Sequence, residues 1–114
     1  VLPIVTDLVT IVRAVKAVGY GNAITLDWGP GAARTTVEAN VQPAGSSEAT
    51  DGGRDRIITR IRVFLHAGTD VVATDRIEWK GHAYEVDGDP DRWPDPTGGG
   101  EHHVELTATH VTGG

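Results

Sequence analysis

Arg56 to Leu65 constrains the fold more than any other part of this chain. Taken in steps of two, Ile57, Thr59, Ile61, Val63 and Leu65 fall on one side. Arg56, Ile58, Arg60, Arg62 and Phe64 fall on the other. A helix would scatter both sets around its circumference, whereas a strand points successive side chains to opposite faces. The stretch therefore reads as a strand with one apolar face. All three arginines share the second face, which must be wetted or meet a charged partner.

The same period recurs elsewhere. In Arg34 to Gln42, Thr35, Val37, Ala39 and Val41 alternate with Thr36, Glu38, Asn40 and Gln42. Arg76 to Trp79 and His82 to Asp87 flank Lys80-Gly81, a two-residue link ending in Gly that signals a tight hairpin. Ile77, Trp79, Tyr84 and Val86 then share a face. A final strand is expected from about His103 to Val111, with Val104, Leu106 and Ala108 inward and Thr112 to Gly114 frayed. Ala23 to Trp28 is a further short strand. Asp7 to Val18 is ambiguous, because Thr10, Arg13 and Lys16 sit three apart as on a helix. Its Val and Ile content and the Gly19-Tyr20-Gly21-Asn22 stop favour a strand.

Three segments read as connections. Ala67-Gly68-Thr69-Asp70 is a turn, and Gly88 to Gly100 is a Pro- and Gly-rich link holding Trp93. Pro43 to Asp55 is the least hydrophobic stretch and reads as a long, mobile loop. Six or seven short strands at this spacing suggest a small β-barrel or barrel-like sandwich. With 114 residues and no internal repeat, one domain spanning 1–114 is the simplest organisation.

Charge and composition narrow the function. The formal net charge of −6 gives no bulk attraction for nucleic acid. No apolar run approaches the ~20 residues of a membrane span, and Val1 to Val5 lack the basic region of a secretory signal. Without Cys there is no disulfide, thiolate metal site or Cys nucleophile. His102 and His103 are adjacent on an expected strand, so they should point apart rather than share a metal with His110. His66 and His82 read as turn residues. Asp87-Gly88-Asp89-Pro90-Asp91 starts like a calcium loop, but Arg92 and Gly98 stand where such a loop needs Gly and Glu. Asp27 and Asp75 are not brought together by sequence. Ser46 and Ser47 lack the strand–turn–helix setting of a nucleophile, and no phosphate loop is present. The expectation is no enzyme, no metal and no cofactor.

From Gly68 the chain reads Gly68-Thr69-Asp70, then Asp75-Arg76-Ile77, then Gly81-His82-Ala83-Tyr84-Glu85-Val86-Asp87-Gly88-Asp89-Pro90, then Trp93. With Gly21-Asn22 before Asp27-Trp28, and Val41-Gln42-Pro43 before a Ser/Glu loop, this series resembles the head-closure, or head-to-tail stopper, proteins of siphophages. The resemblance covers most of the chain and is most specific in its second half. It implies a β-barrel subunit of a ring in the virion neck, assembled in the host cytoplasm. The partners would be further copies of itself, a portal-adaptor protein and a tail terminator protein, with packaged DNA abutting the channel and no membrane. The copy number it implies is a hexamer, alternatively a dodecamer. A channel loop would fall on Ser46, Ser47, Glu48, Thr50, Asp51, Gly52 and Gly53. The arginine face of Arg56, Arg60 and Arg62 is the expected subunit interface. The alternatives are another neck protein, a tail terminator or an adaptor, and a ligand-binding β-module that would need exposed aromatic residues.

Overall fold

The computed structural model describes residues 7–51 and 54–113. These residues form nine strands: β1 (Asp7–Arg13), β2 (Val15–Val18), β3 (Ile24–Asp27), β4 (Ala33–Asp51), β5 (Arg54–His66), β6 (Arg76–Trp79), β7 (His82–Val86), β8 (Asp91–Pro94) and β9 (Glu101–Gly113). The one helical element among the described residues is a 3-10 turn at Tyr20–Asn22. The main sheet runs β5-β4-β1-β6-β7-β9, and β5 pairs with β9 to close it. The result is a six-stranded antiparallel barrel, with β8 added outside β9. Closure removes the unpaired edges that an open sheet of this size would expose.

The inward faces are the alternating ones. Ile61, Val63 and Leu65 of β5 are buried, as are Val104, Leu106 and Ala108 of β9. Val9 and Ile11 of β1, Ala39 of β4, Val71, Ile77, Tyr84 and Val86 complete the same core, and Val37, Val41 and Trp79 pack against it. The Asp7–Val18 ambiguity resolves as two strands, with Val9, Ile11 and Val12 buried in the first and all of the second exposed. The Lys80-Gly81 link is a tight hairpin in which both residues have positive φ, 49° and 78°, and Ile77 faces Tyr84 across it. Two consecutive positive values are the twist that matches the flanking strands, and Gly81 meets that requirement without a Cβ penalty.

Four expectations need correction. Within Pro43 to Asp55, the described residues are paired strand rather than loop. β4 continues to Asp51 and returns in β5 from Arg54, in register from Gly45↔Arg60 to Asp51↔Arg54, after a bulge between Pro43 and Gly45. Cross-strand pairing overrides the weak strand propensity of Ser and Gly, as tertiary context often does. Gly52 and Gly53 lie outside the described residues, as do residues 1–6 and Gly114. The link 88–100 contains β8, paired on β9. The end of the chain is held rather than frayed, since β9 pairs with β5 through Thr112 and Gly113. Ile57 is 48% exposed although it shares a face with Ile61, because at that level the barrel wall has ended.

These extensions make an arm. Beyond the barrel, β5 lies between β4 and β9, so the outer part of the hairpin is a three-stranded ribbon. Where β4 leaves β1, the Asp7 carboxylate accepts the Val41 N–H at 3.2 Å. The radius of gyration, 15.9 Å, exceeds the about 13 Å of a compact domain this long. By strand register, the start of β1, the β6–β7 turn and the arm lie toward one end of the barrel. Arg13 and the β2–β3 hairpin lie toward the other.

Candidate functional site

At that second end, β1 finishes on Arg13, whose guanidinium binds two carboxylates from the segment between β5 and β6. Its Nε donates to Asp75 Oδ1 at 2.6 Å and its Nη2 to Asp75 Oδ2 at 3.0 Å. Nη2 also reaches Asp70 Oδ1 at 3.0 Å. Asp75 is buried and accepts the Val72 N–H at 2.9 Å as well. A fully enclosed carboxylate survives only with such partners, and the bidentate fork is the strong form of this pair. Hydrogen bonding to Arg13 holds the exposed Asp70 carboxyl below its ordinary range, and the same bonds to Asp75 and Asp70 hold the Arg13 guanidinium above its own. Nearby, the Arg76 guanidinium lies 4.1 Å over the Trp28 ring, and Trp28 Nε1 donates to the Thr74 carbonyl at 3.0 Å. Arg92 donates to the Thr69 and Val71 carbonyls at 3.3 and 3.2 Å. Glu101 accepts the Gly68 N–H, and that bond lowers its pKa. The segment 67–75 is thus tied down from three sides.

The Gly-Thr-Asp and Asp-Arg pieces of the sequence series therefore have a structural job. They hold a long irregular segment closed over the barrel end. Sequence reading found the motif but not the partner. The available signal was Arg13, the only basic residue of β1, following the apolar Ile11 and Val12.

The arginine face is where the alternation puts it. Arg60 and Arg62 lie on the outer side of β5, opposite Ile61 and Val63, and Arg62 Nε is 3.8 Å from Glu105 Oε1. Arg56 continues the row onto the arm, at the level of Ala49 and Gly113. Of the expected channel-loop residues, Ser46, Ser47, Glu48, Thr50 and Asp51 form the outer part of β4 in the arm. Gly52 and Gly53 lie between the two strands, outside the described residues.

The histidines differ from expectation. His102 and His103 do not point apart, since their Nδ1 atoms are 2.8 Å from each other. The register shows why: Trp93 pairs with His103 and Pro94 with Glu101, so His102 is an extra residue in a bulge, where alternation fails. His103 stacks on Trp93 at 6.2 Å between ring centroids. His82, at the start of β7 rather than in the turn, lies 5.0 Å from the His110 ring. Among the described residues, no group of three potential metal ligands forms. Asp87 accepts the Thr109 hydroxyl and its N–H bonds the Thr107 carbonyl, so this Asp-rich stretch serves as a strand exit.

A sequence model described as phage head completion protein matches residues 5–111. No curated protein matches the chain at a significant level. Among solved structures, a chain from the virion of a native gene transfer agent particle superposes with a TM-score of 0.69 at 18% identity, covering 97% of this chain and 98% of that one. The phage-like element PBSX protein xkdH from Bacillus subtilis gives a TM-score of 0.53 at 14% identity, covering 90% of each chain. At these identities the two neighbours speak for the fold.

Proposed function

The chain belongs to the phage head completion protein family, and from that premise we propose that it is the head-to-tail stopper of a long-tailed phage or related particle. In this reading it forms a ring, a hexamer or alternatively a dodecamer, between the portal-adaptor complex and the tail terminator. The ring retains packaged DNA and offers a docking surface to the tail. Assembly takes place in the host cytoplasm and the product stays in the virion neck.

The observation that carries the reading is the arm. A closed barrel does not need a β4–β5 hairpin that continues past its own wall. From Gly45 to Asp51 the strand spans about 20 Å at the rise of an extended chain. Three paired strands make it stiffer than a loop, so it can hold a position in a channel under load. On its β4 strand, Ser46, Ser47, Glu48, Thr50 and Asp51 include no cation, while Arg54 and Arg56 of β5 pair opposite Asp51 and Ala49. Arg56, Arg60 and Arg62 stand in line on one face of β5, and in this reading that face meets an acidic face of the adjoining copy, on a chain with 16 acidic and 10 basic residues.

Electron microscopy of the neck tests this. A cyclic ring at the head–tail junction, with one arm per subunit directed to the axis, is the expected result. A position elsewhere in the particle, or arms lying on the outer wall, would overturn it.

A further inference from the structure

We propose that the β2–β3 hairpin of one copy docks in the groove between β1 and the β6–β7 turn of the next copy, and that this contact helps to build the ring beside the one made by the arginine face of β5. The inference rests on the ring reading above and adds to it the surfaces that meet.

The hairpin pairs Lys16 with Leu26 and Val18 with Ile24, which places these four side chains on one face. Val18 is 74% exposed, Ile24 69%, and Tyr20 at the tip is fully exposed. All of β2 is exposed, and within β3 only Leu26 is partly covered. A two-stranded hairpin with no layer behind it is marginal in water. A Val–Ile pair held out to solvent on such a hairpin adds nothing to this chain's own core, and a clustered apolar surface of this kind marks a contact site.

The groove offers the complement. It is an open depression of about 430 Å³ lined by Leu8, Thr10, Glu78, Trp79, His82 and Ala83 among others. Leu8 is 64% exposed there, and Trp79, which also packs against the core, contributes to the lining. Glu78 lies within it, paired with Arg34 at 3.6 Å, and the exposed Glu38 stands beside the groove, opposite Leu8 on β4. The Glu38 carboxylate beside the exposed Leu8 matches a hairpin face with one cation, Lys16, beside three apolar residues. Lys80 at the rim is already engaged, lying 4.7 Å over the Trp79 ring.

The two patches complement each other and belong to the same chain, yet the hairpin cannot reach the groove of its own chain, so the occupant is a second copy. The hairpin starts beyond Arg13 at one end of β1, whereas the groove lies at Leu8 and Thr10 toward the other. Contact between two different patches on identical chains is heterologous, and it closes into a ring when the rotation allows. The groove belongs to β1, β6 and β7, which leaves the β4–β5–β9 arm outside the contact.

The chain has no cysteine, so introduced thiols give an unambiguous cross-link. Leu8→Cys and Ile24→Cys are combined in one chain and oxidised, both as concentrated purified protein and in particles. The expected result is a ladder of covalent multimers ending at the ring size, with each single variant stopping at a dimer. Adding Ile24→Asp in place of Ile24→Cys abolishes the ladder. A double variant that yields no more than the single ones overturns the proposal. So does an equal ladder from the control pair Val72→Cys and Ile24→Cys, which would show random collision. Particles that contain the protein without the ladder overturn the docking mode alone. Particles that lack the protein overturn the stopper reading, and the cross-link in purified protein then decides the docking mode by itself.

Discussion

Arg13 and Asp75 are 62 residues apart in sequence and 2.6 Å apart in space. Asp75 is buried and Arg13 only half covered, so the two ends of the pair respond differently to substitution. Asp75→Ala strands the Val72 N–H and removes one of the two carboxylates that hold Arg13; we expect a loss of about 2–4 kcal/mol in a denaturant melt. Asp70→Asn should change stability far less, because Asp70 is open to water and screened. Its signature is in the pH profile. A carboxyl held below its ordinary 3.8 contributes stability that is present above that value and is lost as pH falls through the folded value. The wild type should therefore weaken with acid below about pH 4, and Asp70→Asn should flatten part of that slope. Arg13 titrates too far above neutrality to shape the profile. In the hairpin turn, Gly81→Val forces a branched side chain to φ 78°, at a cost on the order of 1–3 kcal/mol. An unchanged melting temperature would mean the turn adopts another form.

At the scale of elements, the arm and the barrel are separable. The core contributed by β5 starts at Ile61, and the arm lies before it. Replacing residues 47–58 by a two-residue Asn-Gly link, which joins the Ser46↔Thr59 pair, should leave the barrel folded. Loop closure changes slowly with length, so the loss should stay within about 1–2 kcal/mol and come mainly from the end of β9. Circular dichroism and thermal melting check this half. The functional half is expected to fail: heads should package DNA and then leak it before tails attach, scored as filled heads against infectious particles. Normal yields of both would take the gating role from the arm. The β8–β9 bulge shows the same principle in miniature, since one inserted residue, His102, is enough to bring two neighbouring rings together.

The whole molecule carries its charge unevenly. The net charge is −6, yet β5 presents Arg60 and Arg62 together on one outer strand face. Opposed surfaces of this kind steer identical subunits into one orientation, and salt weakens them over a screening length of about 8–10 Å. Combining Arg60→Glu with Arg62→Glu should keep the fold, because neither side chain belongs to the core. It should weaken self-association several-fold, roughly a loss of 1 kcal/mol, read by sedimentation at matched salt. Equal association of both proteins would remove the arginine row from the interface. The chain is a structural virion protein of the head completion family, and its barrel is a scaffold that sets an arm at one end and a hairpin at the other.

The sequence by itself determined the local grammar. Alternation in β5, β6, β7 and β9 specified strands, inward faces and a mainly β fold, and Lys80-Gly81 specified the hairpin between two of them. These follow from the geometry of neighbouring residues, which any extended chain obeys. The order of the Gly-Thr-Asp, Asp-Arg and Tyr-x-Val pieces pointed to the family. What only the tertiary structure decided depends on residues far apart. Pro43 to Asp51 is poor in strand formers and becomes a strand because β5, itself held by β9, supplies a template of backbone partners. Asp70 and Asp75 become one site because β1 ends beside the segment that holds them. Ile57 and Ile61 share a strand face, yet one is half exposed and the other buried, because where a barrel ends is settled by the lengths of its other strands.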